Sequence, residues 1–372
     1  MSGGAWSPTS LFAASEVGVW YDPSDLSTMF QDSAGTTPVT ADGQTVGLIL
    51  DKSAALTIGT EIIGSPLNGV ASGAWAVSAS GVTRNGSVTG QVSIDSLPIV
   101  AGETYKAVFD VAGMSGDSFF VKVGNTGGAD TRIETNGTKT LLITALNSGK
   151  LTFIPWAGTA GEATITNISL KLIAGNHATQ ATAAKRPVYK TSGGLHWLQF
   201  DGVDDAMATG IIDFSATDEM SVFAGVRKTS DSAQRIIAEL SATIASNNGS
   251  WALSAPVSAA ANYDFSSKGT LAAANTVTTY TAPITNVITG LADISGDSNI
   301  IRVNGAQVGS VATDQGAGNY GSAYPLYIGG RAGTSLYLSG NIYSLIVRNK
   351  VSTTGEITSA ESYVAGKTGL TL

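Results

Sequence analysis

"TYKAVFDV", residues 104–111, alternates along its length: Tyr105, Ala107, Phe109 and Val111 fall on one side of an extended chain, and Thr104, Lys106 and Asp110 on the other. A period of two marks a strand with one buried face. Working outward, the pattern returns in "SFFVKVG" (118–124), "TLLITAL" (140–146), "KLTFIPW" (150–156) and "TITNISLKLI" (164–173). Gly, Asn, Asp or Ser separates these runs at spacings of roughly ten residues, the rhythm of a β-sandwich. Between Gly73 and Ile173 the reading is about eight strands.

The second half continues in kind. In "IIRVNGAQVGSV" (300–311) Asn304-Gly305 sits between two β-prone runs, and Asn-Gly accepts the positive φ that both centres of a type I′ hairpin turn require. "PLYIGG" (325–330) and "NIYSLIVRN" (341–349) read as strands; the latter is apolar on both faces, as expected of a central, well-covered strand. Helices are few. "DPSDLSTMFQ" (22–31) offers Asp22 as N-cap, Pro23 at the first helical position and Asp25 in the first turn. "TTGEITSAESYVAGKTG" (353–369) has Thr353 and Glu356 at capping-box spacing, an apolar stripe of Ile357, Ala360, Tyr363 and Val364, and a glycine after its end. The expected class is all-β, built of two sandwiches with few short helices including a C-terminal one.

Composition narrows function. Only 13% of the 372 residues are charged, against roughly 25% in an average domain. The net charge is −8 and the densest basic stretch, "AAKRPVYK" (183–190), carries three charges. A surface that tracks phosphates needs more, so neither nucleic acid nor anionic membrane is an expected partner. With no cysteine, disulfides, thiolate zinc sites and cysteine nucleophiles are excluded. No basic start with an apolar run opens the chain, and no apolar stretch reaches the ~20 residues that span a bilayer. The expectation is a protein made in the cytoplasm that stays soluble, unless it leaves by lysis or a dedicated export route.

"LQFDGVDDAMAT" (198–209), "SVFAGVRK" (221–228), "IIRVNGAQVG" (300–309) and "YLSGNIYSLIVRN" (337–349) resemble the laminin-G-like, concanavalin A-like lectin fold, and "EITSAESYVAGKTGL" (356–370) resembles its terminal helix. "GVWYDPSDLSTMFQDSAGTTPVTADGQTVGLILDKS" (18–53) is similar to a phrase of tailed-phage and prophage virion proteins that carry this fold. The resemblance covers most of residues 11–55 and 175–372. In such relatives the "LDKS" phrase (50–53) runs almost directly into one like "GNHATQ" (175–180), whereas here about 120 residues intervene. That intervening stretch resembles jelly-roll carbohydrate-binding modules, which open on a phrase like "LTIGTEII" (56–63) and close on one like "ATITNISLKL" (163–172). The implied organisation is a discontinuous lectin-like domain, 1–55 plus 175–372, with a nested jelly roll at 56–174. A guest with adjacent ends can enter a surface loop at small closure cost. Two or three sandwiches in tandem is the alternative.

The resemblance implies a virion structural protein: a tail fibre, a receptor-binding protein or a capsid-surface decoration. Its partners would be other virion proteins, further copies of itself, and host capsule or lipopolysaccharide. A purely structural assembly module without sugar binding is the rival, and a polysaccharide depolymerase a more distant one.

The residues favour a non-enzyme. Hydrolases of the concanavalin-like fold commonly carry a Glu-x-Asp-x-x-Glu strand, and a retaining mechanism needs two carboxyls about 5–5.5 Å apart. None of the nine Glu here has a carboxylate two residues on. The two histidines, His177 and His196, read as structural, and no G-x-S-x-G elbow accompanies them. No catalytic residue is assigned. Sugar binding needs exposed aromatics: Trp75 and Trp156 in the insert, and Trp251, Tyr263, Tyr320 and Tyr324 in or near loops of the outer domain. Trp156 falls on the face opposite Leu151 and Phe153. No cofactor is required, and calcium is the one left open. "DGVDD" (201–205) places Asp201, Asp204 and Asp205 in one turn, though the family resemblance implies a structural turn, with Asp201 bonding backbone and Gly202 supplying an unusual φ. In related jelly rolls a calcium uses a Glu in the opening phrase and oxygens in the closing one, which by position are Glu61 and Asn167.

Overall fold

The structure is a computed structural model that describes residues 6–13, 16–53, 58–73, 75–86, 89–116, 118–124, 132–145, 147–156, 160–321 and 323–372. The chain is all-β, as its alternation predicts, and divides into two compact units. Met1–Phe30, Pro38–Ala55 and Asn176–Leu372 form the first; Gln31–Thr37 and Leu56–Gly175 form the second.

In the first unit two antiparallel sheets enclose one core. One sheet runs in the order Val188–Ser192, Leu195–Asp201, Ser339–Arg348, Glu219–Lys228, Ile284–Asp293, Ser298–Val303, Ala306–Val311, with Gly18–Tyr21 also paired to Ser339–Arg348. The other runs Met29–Phe30, Leu48–Ile49, Ala178–Thr179, Met207–Ile212, Tyr324–Ile328, Ile236–Leu240, Ser250–Ser254, Asn262–Lys268, Ala272–Thr278. Asn304 and Gly305 take φ of 49° and 82°, the expected I′ hairpin.

Alternation on Glu219–Lys228 sends Val222, Ala224 and Val226 into the inter-sheet core, while Phe223 points the other way. There it meets Ile346, Val287 and Leu291 beneath Ile357, Ala360, Val364 and Ala365 of the helix α1, Thr354–Thr368. This sheet is therefore covered on both faces, which is why "NIYSLIVRN" is apolar on both. The capping box predicted at Thr353 and Glu356 forms, and Gly369 closes α1 in the left-handed region.

The helix expected over 22–31 does not form. The Asp22 carboxylate accepts from Ser24 N and Oγ, a local turn that competes with a helix start. A short 3₁₀ turn at Leu26–Thr28 follows, and Met29 then pairs with Ile49.

The first unit is stitched where its chain departs and returns. Asp51, 1% exposed, accepts at Oδ1 from Trp20 N and Ser53 N, and at Oδ2 from Ser53 Oγ and Asn176 N. Its own amide donates to His177 Nδ1 at 2.9 Å. Burial pushes its carboxyl up to about 6 against the pull of those donors.

The second unit has a sheet ordered Arg132–Ile133, Phe119–Val123, Gly149–Pro155, Val92–Leu97, Val70–Ala71. The other is ordered Gly137–Thr144, Thr104–Gly116, Gly161–Ile173, Gly81–Asn85, Trp75–Ser78. Between Gly73 and Ile173 the described strands number nine. Phe109, Phe119, Phe153, Leu151 and Ile165 centre its core. Its first strand, Ile58–Glu61, pairs with its last, with Ile58 opposite Ile173, so its ends lie together. Residues 31–37 belong to this unit, where the Ala34 carbonyl accepts from the amide of Leu142.

Candidate functional site

Four of the six aromatic candidates are interior. Trp75 is 5% exposed and meets Phe119 edge-on at 6.2 Å in the second unit's core. Trp251 and Tyr263 are fully buried on strands Ser250–Ser254 and Asn262–Lys268, so the expected loops are internal strands of the nine-stranded sheet. Tyr320, 1% exposed, plugs the core from its Gly-rich loop and shares a 2.7 Å hydrogen bond with Ser267 Oγ. A sugar cannot stack on rings already enclosed by protein. Tyr324 is half-buried, and its hydroxyl donates to Asn248 O.

Trp156 is half-buried, on the outward side of the five-stranded sheet. Alternation explains it. Phe119, Val121 and Val123 turn inward, and so do Leu151 and Phe153. Phe120 and Ile154 therefore turn outward, and register aligns Phe120 with both Arg132 and Ile154, in one row across three strands. The Trp156 ring packs on Phe120, centroids 4.5 Å apart, and the Arg132 guanidinium lies 4.2 Å from the indole centroid.

Ser118 anchors the group. Its carbonyl accepts from Trp156 N at 2.9 Å and Arg84 Nη1 at 3.1 Å, and its hydroxyl accepts from Arg132 Nε at 2.6 Å. Glu134 pairs with Arg132 at 3.1 Å. The result is an aromatic and aliphatic platform edged by a cation and a carboxylate. Phe120 could have been found from the period of "SFFVKV". Arg132 could not, since a strand of only two residues shows no period.

The acidic candidates are engaged. Glu61 accepts from Ile63 N, Leu170 N and Ser169 Oγ; burial opposes its ionisation, but these donors hold its carboxyl below the usual range. Asn167, at φ 53°, donates instead to Asp110 Oδ2. The two side chains thus serve different protein partners.

Asp201, Asp204 and Asp205 do converge, with carboxylate oxygens within 4.8 Å of one another. Asp201 Oδ1 accepts from the amides of Val203, Asp204 and Asp205, and Asp205 Oδ2 accepts from Asp201 N, while Gly202 sits at φ 78°. That is the architecture of a tight turn. Burial, then Asp201 and Asp204 nearby, push Asp205 up to about 7. His177 is buried in the Asp51 network, and His196 Nδ1 pairs with the Tyr189 hydroxyl at 2.6 Å.

No protein-family model matches the sequence, and no match is found among curated proteins. Solved structures similar to the chain include the binding domain of botulinum neurotoxin serotype G, 12% identical, covering 47% of this chain and 44% of that one at a TM-score of 0.36. The CBM40 of Ruminococcus gnavus IT-sialidase bound to α2,3-sialyllactose is 16% identical, covering 43% and 96% at 0.33. Trypanosoma rangeli sialidase in complex with the inhibitor DANA is 13% identical, covering 50% and 29% at 0.35. The chain spans less than half of the neurotoxin domain and under a third of the Trypanosoma enzyme.

Proposed function

We propose that this chain is a non-enzymatic surface protein of a tailed phage, prophage or phage-derived particle that adheres to host capsule or lipopolysaccharide. The virion assignment rests on the resemblance carried by residues 18–53 and 198–370. The observation that supports glycan adhesion is the Trp156 platform: a half-buried indole in contact with Phe120 and Arg132 on the outward side of a sheet. The apolar face of a pyranose stacks on such a ring while its hydroxyls reach neighbouring polar groups. Single sites of this kind bind weakly, and many copies on a particle raise the effective concentration.

The test immobilises the full chain at particle-like density and measures retention of host polysaccharide. Trp156→Ala should reduce single-site affinity by about three- to tenfold, the loss of a ring contact, with thermal stability little changed. Retention of no host glycan would end the adhesion reading. Retention that survives chelation by EDTA places calcium outside the mechanism.

Burial of Trp75, Trp251, Tyr263 and Tyr320 favours the second reading, an assembly module that binds no sugar. Normal adsorption and assembly by a Trp156→Ala particle would support it.

A further inference from the structure

The first unit carries a groove that the sequence reading did not anticipate. The exposed side of α1 forms one wall. A cavity of about 490 Å³ is lined by Ser24, Leu195, His196, Ser362, Tyr363 and Lys367. A second, of about 400 Å³, is lined by Trp6, Thr358 and Ser359 and shares Ser362 and Tyr363 with the first. Both are open to solvent, as a groove that runs along the surface must be.

We propose that this groove binds a neutral oligosaccharide, with successive sugar units on either side of Tyr363. The charged side chain that lines the groove, Lys367, is already paired, and its partner belongs to a small ion-pair cluster behind the wall. Lys52 pairs with Asp25 at 2.7 Å, and Lys367 pairs with Asp22 at 3.1 Å; Lys52 also approaches Asp22 at 3.5 Å. Two carboxylates and two ammoniums already satisfy one another, so an ionic ligand would find no counter-charge that is not spent.

Tyr363 is rigidly placed. Its hydroxyl donates to Asp22 at 2.9 Å, and its ring is edge-on to Trp20 at 5.8 Å and tilted against Trp6 at 5.9 Å. Trp6 remains 38% exposed, a large apolar ring left at the groove's edge. Interleaved with these rings are groups that both donate and accept: the hydroxyls of Ser359 and Ser362, three residues apart on the exposed face of α1, and His196, whose Nδ1 is engaged by Tyr189. Lys367 Nζ lies over the Tyr363 ring, 4.9 Å from its centroid, so the ring left open to the apolar C–H face of a pyranose is that of Trp6, while the neighbouring hydroxyls and imidazole suit the sugar's rim of hydroxyls. Two cavities with a common wall suit consecutive units of a polymer better than one monosaccharide. The site lies in the first unit and does not depend on Trp156.

Gly366 provides a clean test. It lines the larger cavity, and a Cβ built there meets nothing within 4 Å, so a Trp can fill the groove without moving the backbone. Trp also has the higher helix propensity, so α1 should not weaken. The full chain would be titrated with maltopentaose, cellopentaose, laminaripentaose and chitopentaose, and with 3′-sialyllactose as the anionic arm. At least one neutral pentasaccharide should bind with a Kd of about 1 mM or below. Gly366→Trp and Trp6→Ala should each weaken it, the former by about tenfold or more, while Trp156→Ala leaves it unchanged. The Trp6 variant keeps the test decisive should Gly366→Trp fold poorly. Absence of all neutral binding, binding untouched by both groove variants, binding lost with Trp156, or binding of sialyllactose alone would each overturn the proposal.

Discussion

Asp51 is one carboxylate serving four donors from three separated stretches of chain. An amide in its place offers only one acceptor oxygen, and its NH₂ faces a donor. Asp51→Asn should therefore cost about 1–3 kcal/mol, the penalty for an orphaned buried group, read by denaturant unfolding. Asp205 predicts a pH dependence. Its folded carboxyl, at about 7, lies above the ordinary value of 3.8. The folded state thus binds the proton more tightly than the unfolded one, and this contribution to stability is complete below about pH 4 and lost as pH rises through 7. Thermal melts in EDTA between pH 4 and 8 should show that decline together with the like-signed contribution of Asp51, raised to about 6, and Asp205→Asn, which keeps an acceptor for Asp201 N, should remove only the part centred near pH 7. The Asp201–Gly202 turn was legible in the sequence, because Asp and Gly have defined roles in tight turns. Asp51 was not, since its partners at 20 and 176 are near it only in three dimensions.

At the scale of elements, α1 was readable to its caps because capping box, stripe and terminal glycine agree. The segment 22–31 carried a similar start signal but its Asp22 closes a turn on Ser24, so local side-chain bonding won over propensity. From sequence alone Trp251 and Tyr263 read as lying in or near loops, because Ser, Ala and Asn surround them. Small polar residues are tolerated inside this sheet where they are hydrogen-bonded, Ser267 Oγ with the Tyr320 hydroxyl and Asn275 Nδ2 to Asn299 O. Gly225 marks where α1 presses on the sheet: a Cβ would stand 2.7 Å from Thr368 Cγ2 and 3.0 Å from Val364 Cγ1. Gly225→Ala should destabilise by about 1–3 kcal/mol through overpacking, and Thr353→Ala by about 1 kcal/mol through the lost cap. A Gly225→Ala protein as stable as the parent would show that α1 shifts freely on its sheet.

At the scale of the whole chain, each unit carries its own closure. The second pairs its first and last strands, Ile58 to Ile173. The first gathers Ser53 N and Asn176 N onto the same carboxylate, so a linker of a few residues can span them. The loop 31–37 is braced internally, with Asp32 accepting from the amides of Thr36 and Thr37. A chain in which 56–175 is replaced by a short Gly-Ser linker should retain a β-type circular dichroism spectrum and one cooperative unfolding transition, since closure entropy changes only slowly with loop length. Broad, non-cooperative melting would mean that the first unit needs the excised stretch to fold.

The knot at Asp51 makes the position just after Ser53 a socket. Whatever is cloned there is held at both ends by a scaffold that has already tied off its own chain, so any compact cargo with neighbouring termini, an enzyme or a fluorescent reporter included, could be carried in place of the natural passenger.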